Sequence, residues 1–186
     1  MKRSFAANRK LIALLCLVSA LALSRGSFPL LTDFFIFPVG YLASWTVGTV
    51  PELVSGGVQF TSTGTQFLVS QACSGIVFFG LLVAMAALVA PTPRRLIQIL
   101  PYIYLYAVAS NVARIVFWTL ILPPLEAFFN PRYLTPGHEL AGAIVYLPAA
   151  ILAQFLLSRH FERKRPEKPE ATEVLSDSTS LPDSLS

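Results

Sequence analysis

Ser74-Gly-Ile-Val-Phe-Phe-Gly-Leu-Leu-Val-Ala-Met-Ala-Ala-Leu-Val-Ala-Pro-Thr-Pro-Arg-Arg95 is the stretch that decides the fold. It is apolar from Ser74 to Ala90, then breaks at a Pro-Thr-Pro turn and closes on two arginines. Such a run reads as a helix across a bilayer, and the basic turn marks its cytoplasmic end. Working outward, Leu96–Leu122 reads as a returning span ended by Pro123-Pro124, and Leu125–Gly137 as a loop. His138–Ser158 reads as a further span, with Pro148 as a kink. Arg159-His-Phe-Glu-Arg-Lys-Arg165 is then a basic stop.

Composition agrees with that reading. Of 186 residues, 54% are hydrophobic and 13% charged, against roughly 25% charged in a soluble domain. Between Leu11 and Ser158 the basic residues are Arg25, Arg94, Arg95, Arg114 and Arg132, and the acidic ones Asp33, Glu52, Glu126 and Glu139. The net charge of +4 is not a nucleic-acid footprint, because the basic residues cluster at the ends of apolar runs. Cys16 and Cys73, the two cysteines, form no zinc or iron–sulfur pattern, and both read as thiols. Nothing in the sequence calls for a metal or a cofactor.

The N-terminal part, residues 1–27, carries Lys2, Arg3, Arg9 and Lys10 ahead of the uncharged run Leu11–Ser24. This is a first span acting as an uncleaved anchor, or a signal peptide with Ala20-Leu21-Ala22 at its cleavage site. Leu15 precedes Cys16 where a lipobox wants a small residue. Residues 28–73 differ. Phe28–Val50 is long enough to cross, but Asp33 at a helix centre costs roughly 2.5–3.5 kcal/mol. A helix in the outer interface, with Phe34, Phe35, Phe37, Tyr41 and Trp45 at the lipid boundary, avoids that cost. Between Gly57 and Ser70, alternation and β-branched residues around Gly64 predict a short β-hairpin outside the hydrocarbon.

Charge parity fixes the topology. Arg94/Arg95, the Arg159–Lys168 cluster and the N-terminal charges mark cytoplasmic sides, so Cys73 and the Leu125–Gly137 loop fall outside. The expectation is an all-α polytopic protein of the cell (inner) membrane with four transmembrane helices, an outer interfacial helix and the hairpin. Three of the spans form a core over residues 74–160. Residues 161–186, rich in Pro, Glu, Ser and Asp, form a disordered cytoplasmic tail.

Few polar residues fall within the apolar runs. Cys73, with Ser74 and Gly75, stands where a helix starting near Ser74 favours a thiolate. Gly75 leaves room for a substrate backbone. Arg114 lies ~12 Å below the outer end of its span, and an intramembrane arginine is functional by default. Asn111 precedes it by one turn on the same face. His138 and Glu139 open the last span, and Gly142 follows one turn later. Each has a plain structural use: a small buried thiol, an ion pair from Arg114 to Asp33, Glu126 or Glu139, a polar helix start. Together a thiol, an imidazole and a guanidinium map to one end of the bundle, the set needed for nucleophilic catalysis with a stabilised oxyanion.

Ala72-Cys73-Ser74-Gly75-Ile76, Asn111-Val-Ala-Arg114-Ile115 and His138-Glu-Leu-Ala-Gly142, in this order and topology, resemble the exosortase/archaeosortase family from about Phe28 to Leu157. The resemblance implies a membrane-embedded cysteine protease/transpeptidase. Its partners would be exported surface proteins with a C-terminal sorting tail of short motif, apolar span and basic end. By the same resemblance Cys73 is the nucleophile, Arg114 the transition-state stabiliser and His138 the acid/base. Fewer spans precede the cysteine here than in longer members, so subtype and substrate motif stay open. The competing reading is a non-enzymatic scaffold or assembly factor that binds partner helices. A small transporter or a haem or quinone protein fits less well, since His160 sits at the cytoplasmic end and no span repeats.

Overall fold

In the computed structural model the backbone is described for residues 2–25, 29–128 and 134–163. The expected tail over 161–186 is corrected at its start, where α5 continues to Arg163 and Phe161 is buried in a core; the rest of it, 164–186, lies outside the described residues. The chain order is α1 (Lys2–Arg25), α2 (Pro29–Thr46), β1 (Glu52–Val54), β2 (Gly57–Ser62), β3 (Thr65–Val69), a 3-10 turn (Gln71–Cys73), α3 (Ile76–Val89), α4 (Pro93–Phe128) and α5 (Leu134–Arg163). The protein is thus mostly helical, with one small antiparallel sheet.

The sheet is larger than a hairpin. Its order is β1-β2-β3, with Leu53 opposite Val58 and Phe60 opposite Phe67. The expected turn is present at Gly64: Ser62 pairs with Thr65, and Thr63 and Gly64 take φ of 51° and 83°. Positive φ at both central residues is what a two-residue type I′ hairpin turn demands. Val58, Phe60 and Val69 are buried with Ile36, Val39 and Ala43 of α2 and with Val108 and Ile115 of α4.

That core corrects the expected role of α2. The helix forms over Pro29–Thr46, but it is a layer between α4 and the sheet rather than a helix lying only at an interface. Phe35, expected at the lipid boundary, is 4% exposed and packs on Phe79 and Tyr104. Phe34 and Trp45 do face outward, at 57% and 65% exposure. Tyr104 Oη donates to the Phe34 carbonyl at 2.8 Å, tying α2 to α4.

α1 and α3 run together over small residues. A Cβ on Gly80 would collide with Ala20 Cβ, so glycine permits the close helix approach typical of interfaces in lipid. Arg9 Nη1 donates to the Leu88 carbonyl at 3.3 Å at the far end of α3. α4 starts where Thr92 Oγ1 accepts from the Arg95 amide at 3.4 Å, with Pro93 at the first helical position, where no N–H is needed. Ala86, Ala90, Ile99, Ile103 and Ala107 then join Phe78 and Leu82 in a second core between α3, α4 and α5.

Among the described residues two helices are long and apolar enough to cross a membrane, Pro93–Ile121 and Gly142–Glu162, with 28% and 11% of their most apolar windows buried. The core helix of a soluble protein would be largely covered; these present Leu105, Leu120, Leu147, Ile151 and Phe155 outward. The other expected spans fall short of that test. α3 is apolar but has 14 residues, ~21 Å of helix against a core of ~30 Å. α1 carries four basic residues in its first half. The expected loop over Leu125–Gly137 also shrinks. α4 continues through Pro123-Pro124 to Phe128, and α5 starts at Leu134. Pro136 is tolerated there because first-turn N–H groups have no intrahelical acceptor.

Candidate functional site

Cys73 closes the 3-10 turn, its amide bonded to the Ser70 carbonyl at 2.8 Å. The helix does not begin at Ser74 as expected. Ser74 N–H still bonds back to the Gln71 carbonyl at 3.1 Å, Gly75 takes φ 74°, and α3 starts at Ile76. Ser74, 3% exposed, accepts the Ile76 amide on Oγ at 3.4 Å and so covers one of the unpaired donors at the helix start. The thiol of Cys73 is therefore held on a tight turn ahead of the helix rather than within its first turn. Cys73 is half-buried and packs against the α2–α4–sheet core. It forms no disulfide with Cys16.

Asn111 of α4 fixes this turn. Its Nδ2 donates to the Cys73 carbonyl at 2.5 Å, and its Oδ1 accepts from Tyr146 Oη of α5 at 2.6 Å. Asn111 is fully buried, so both ends of its amide are satisfied, as burial requires. The chain Tyr146–Asn111–Cys73 links α5, α4 and the pre-helix turn. Gly75 has two reasons to be glycine: its left-handed φ, and a Cβ there would lie 3.0 Å from Asn111 Nδ2. Gly75 thus accommodates Asn111, a more local role than the expected room for substrate.

Arg114, one turn beyond Asn111, is 8% exposed. Its guanidinium carbon lies 5.3 Å from the Tyr146 ring centre, a cation–π distance. Its Nε and Nη2 are buried with no hydrogen-bond partner among the described residues. The acidic partners expected for it are not found there: Asp33 makes no described bond to it, and the side chains of Glu126 and Glu139 lie outside the described residues. α4 runs on for 14 residues past Arg114, so the guanidinium sits ~21 Å from the helix end, deeper than expected.

Gly142 of α5 faces Arg114, since a Cβ there would meet Arg114 Cδ and Nη1 at 3.7 Å. His138 belongs to α5, one turn before Gly142 on the helical repeat; its side chain, like that of Glu139, lies outside the described residues. Cys73, Ser74, Gly75, Asn111 and Arg114 are thus brought together, and the helix bearing His138 passes beside them.

Tyr146 is the member that sequence reasoning missed. Its signal is spacing: His138, Gly142 and Tyr146 repeat at i, i+4, i+8 on one face. It also stacks on Phe78 at 4.4 Å and 13°, which fixes the ring that lies beneath Arg114. No family model, curated protein or solved structure matches the chain.

Proposed function

We propose that this chain is a membrane-embedded cysteine protease/transpeptidase of the exosortase/archaeosortase kind, cutting the C-terminal sorting tails of exported proteins. The observation that carries the reading is Arg114: a buried guanidinium with two N–H groups that have no partner among the described residues, one helix turn from the side chain that holds Cys73. A buried guanidinium is costly without an anionic partner, and its place in a polar cluster suits one that forms during reaction. The oxyanion of a tetrahedral acyl intermediate is such a partner.

In this mechanism His138 takes the Cys73 thiol proton, and Sγ attacks the carbonyl carbon just before the substrate's apolar span. Negative charge moves to the carbonyl oxygen, where Arg114 donates to it. The C–N bond then breaks as the His138 imidazolium gives its proton to the leaving amine, and a thioester to Cys73 forms. Water or an acceptor amine, deprotonated by His138, attacks the thioester and restores the thiol. Asn111 and Tyr146 hold the backbone carbonyl of Cys73 and the position of Arg114. They are positioning residues.

The same proposal takes the chain as a multi-pass protein of the cell membrane, with α1, α3, α4 and α5 as spans and the site on the extracytoplasmic side. The tight pre-helix turn, linked through Asn111 and Tyr146 to the Arg114 guanidinium, supports a reactive thiol. Cys16, packed beside Ala13 and Ala87, is an internal control. With iodoacetamide at near-neutral pH, Cys73, as the nucleophile, should alkylate about tenfold faster than Cys16. Equal slow labelling of both would favour the scaffold reading.

A further inference from the structure

A cavity of about 600 Å³ opens between α4 and α5 at the end of the bundle opposite Cys73. Its walls are two facing helical stripes, Ile99, Ile103 and Tyr106 of α4 and Ala153, Leu156 and Leu157 of α5. From Arg95 to Tyr106 the groove is ~16 Å long, about half of a ~30 Å hydrocarbon core. Tyr106 Oη donates to the Ala149 carbonyl at 2.7 Å and so closes its inner end. The mouth is framed by Arg95 and His160.

Among the described residues, charge near that mouth is mainly basic. Arg94 and Arg95 stand in the first turn of α4, and Arg159 near the end of α5 lies over Phe155 at 4.6 Å. Arg9 is joined to the end of α3 on the same side. Glu162 is the acidic residue described there. A slot one leaflet deep, apolar inside and basic at its rim, matches an acyl chain beneath an anionic headgroup. The apolar span of a sorting tail fits the walls less well, because its basic end would meet like charge.

We infer that this groove binds one chain of an anionic phospholipid, with the phosphate at the Arg95 end. The inference rests on the membrane part of the reading above and not on the chemistry of Cys73. The test uses the full-length Cys73→Ala protein in detergent micelles, so that loss of activity cannot affect it. Phosphatidylglycerol and phosphatidylcholine with identical chains are titrated, and bound lipid is counted by native mass spectrometry. Phosphatidylglycerol should bind roughly tenfold more tightly. Arg95→Gln should lose roughly fivefold of that advantage, and Arg95→Lys should keep it. Leu156→Trp, at an exposed position that can fill the groove without touching the core, should weaken both lipids. Glycerol 3-phosphate should not compete. Equal binding of the two lipids would overturn the inference. So would an advantage unchanged in Arg95→Gln, unchanged affinity for both lipids in Leu156→Trp with helical content preserved, or full competition by glycerol 3-phosphate, which would mark a phosphate site without a chain.

Discussion

α4 and α5 pair along their length, yet their two ends are built differently. Near Cys73 the described side chains are bonded across the interface: Asn111 is fully buried, its amide bonded on both sides, with Tyr146 under Arg114. Near Arg95 the same helices leave a cavity of about 600 Å³ lined mainly by aliphatic side chains. Tyr106, bonded to Ala149, divides the two regions. In lipid, helix association draws on close packing and interhelical hydrogen bonds rather than on hydrophobic burial. The bonded end therefore holds the helices together and sets the geometry of the site, while the open end has room for the proposed lipid chain.

The largest effect expected from this contrast is at Arg114. Arg114→Met should lower processing of a tailed substrate by about 10²–10³-fold. It should also leave the melting temperature unchanged or raise it, because a buried charge with no ion-pair partner among the described residues is removed. A variant that is destabilised yet fully active would make Arg114 a structural residue. Gly75→Ala comes next. The left-handed φ of 74° and the 3.0 Å approach to Asn111 should together cost about 2 kcal/mol, read as a lower melting temperature and faster protease digestion. Tyr146→Phe is smaller: it strands Asn111 Oδ1 and should cost about 1 kcal/mol. Tyr102→Phe is its control, since Tyr102 lines the open end and is 72% exposed. Equal melting temperatures for the two tyrosine variants would remove the distinction between the ends.

Much of this was legible residue by residue. Asn111 and Arg114 stand out because polar groups in an apolar run must face protein, and both are buried. The turn at Gly64 followed from alternation and turn chemistry. β1 did not, because the three residues Glu52–Val54 are too few to show a period of two. Tyr146 escaped because a tyrosine in an apolar run more often marks a membrane interface; only its i+4 relation to Gly142 gives it away. The helix starting near Ser74 was displaced to Ile76 by the 3-10 turn and the left-handed Gly75, a choice set by contact with Asn111 from a distant segment. Proline propensity failed at Pro123-Pro124, where α4 continues to Phe128. Burial of Phe35 depended on Ala20, Ile76, Phe79 and Tyr104 from three other helices, which local pattern does not reveal.

The central claim is that Cys73 is a nucleophile and not only a small side chain beside Asn111. Its most direct test is processing, in cells, of a surface protein from the same genome that ends in a short motif, an apolar span and a basic cluster. Cys73→Ala should abolish conversion to the shortened form, with the variant present in the membrane at the normal level and melting at the normal temperature. Conversion at the unaltered rate in Cys73→Ala would contradict the account.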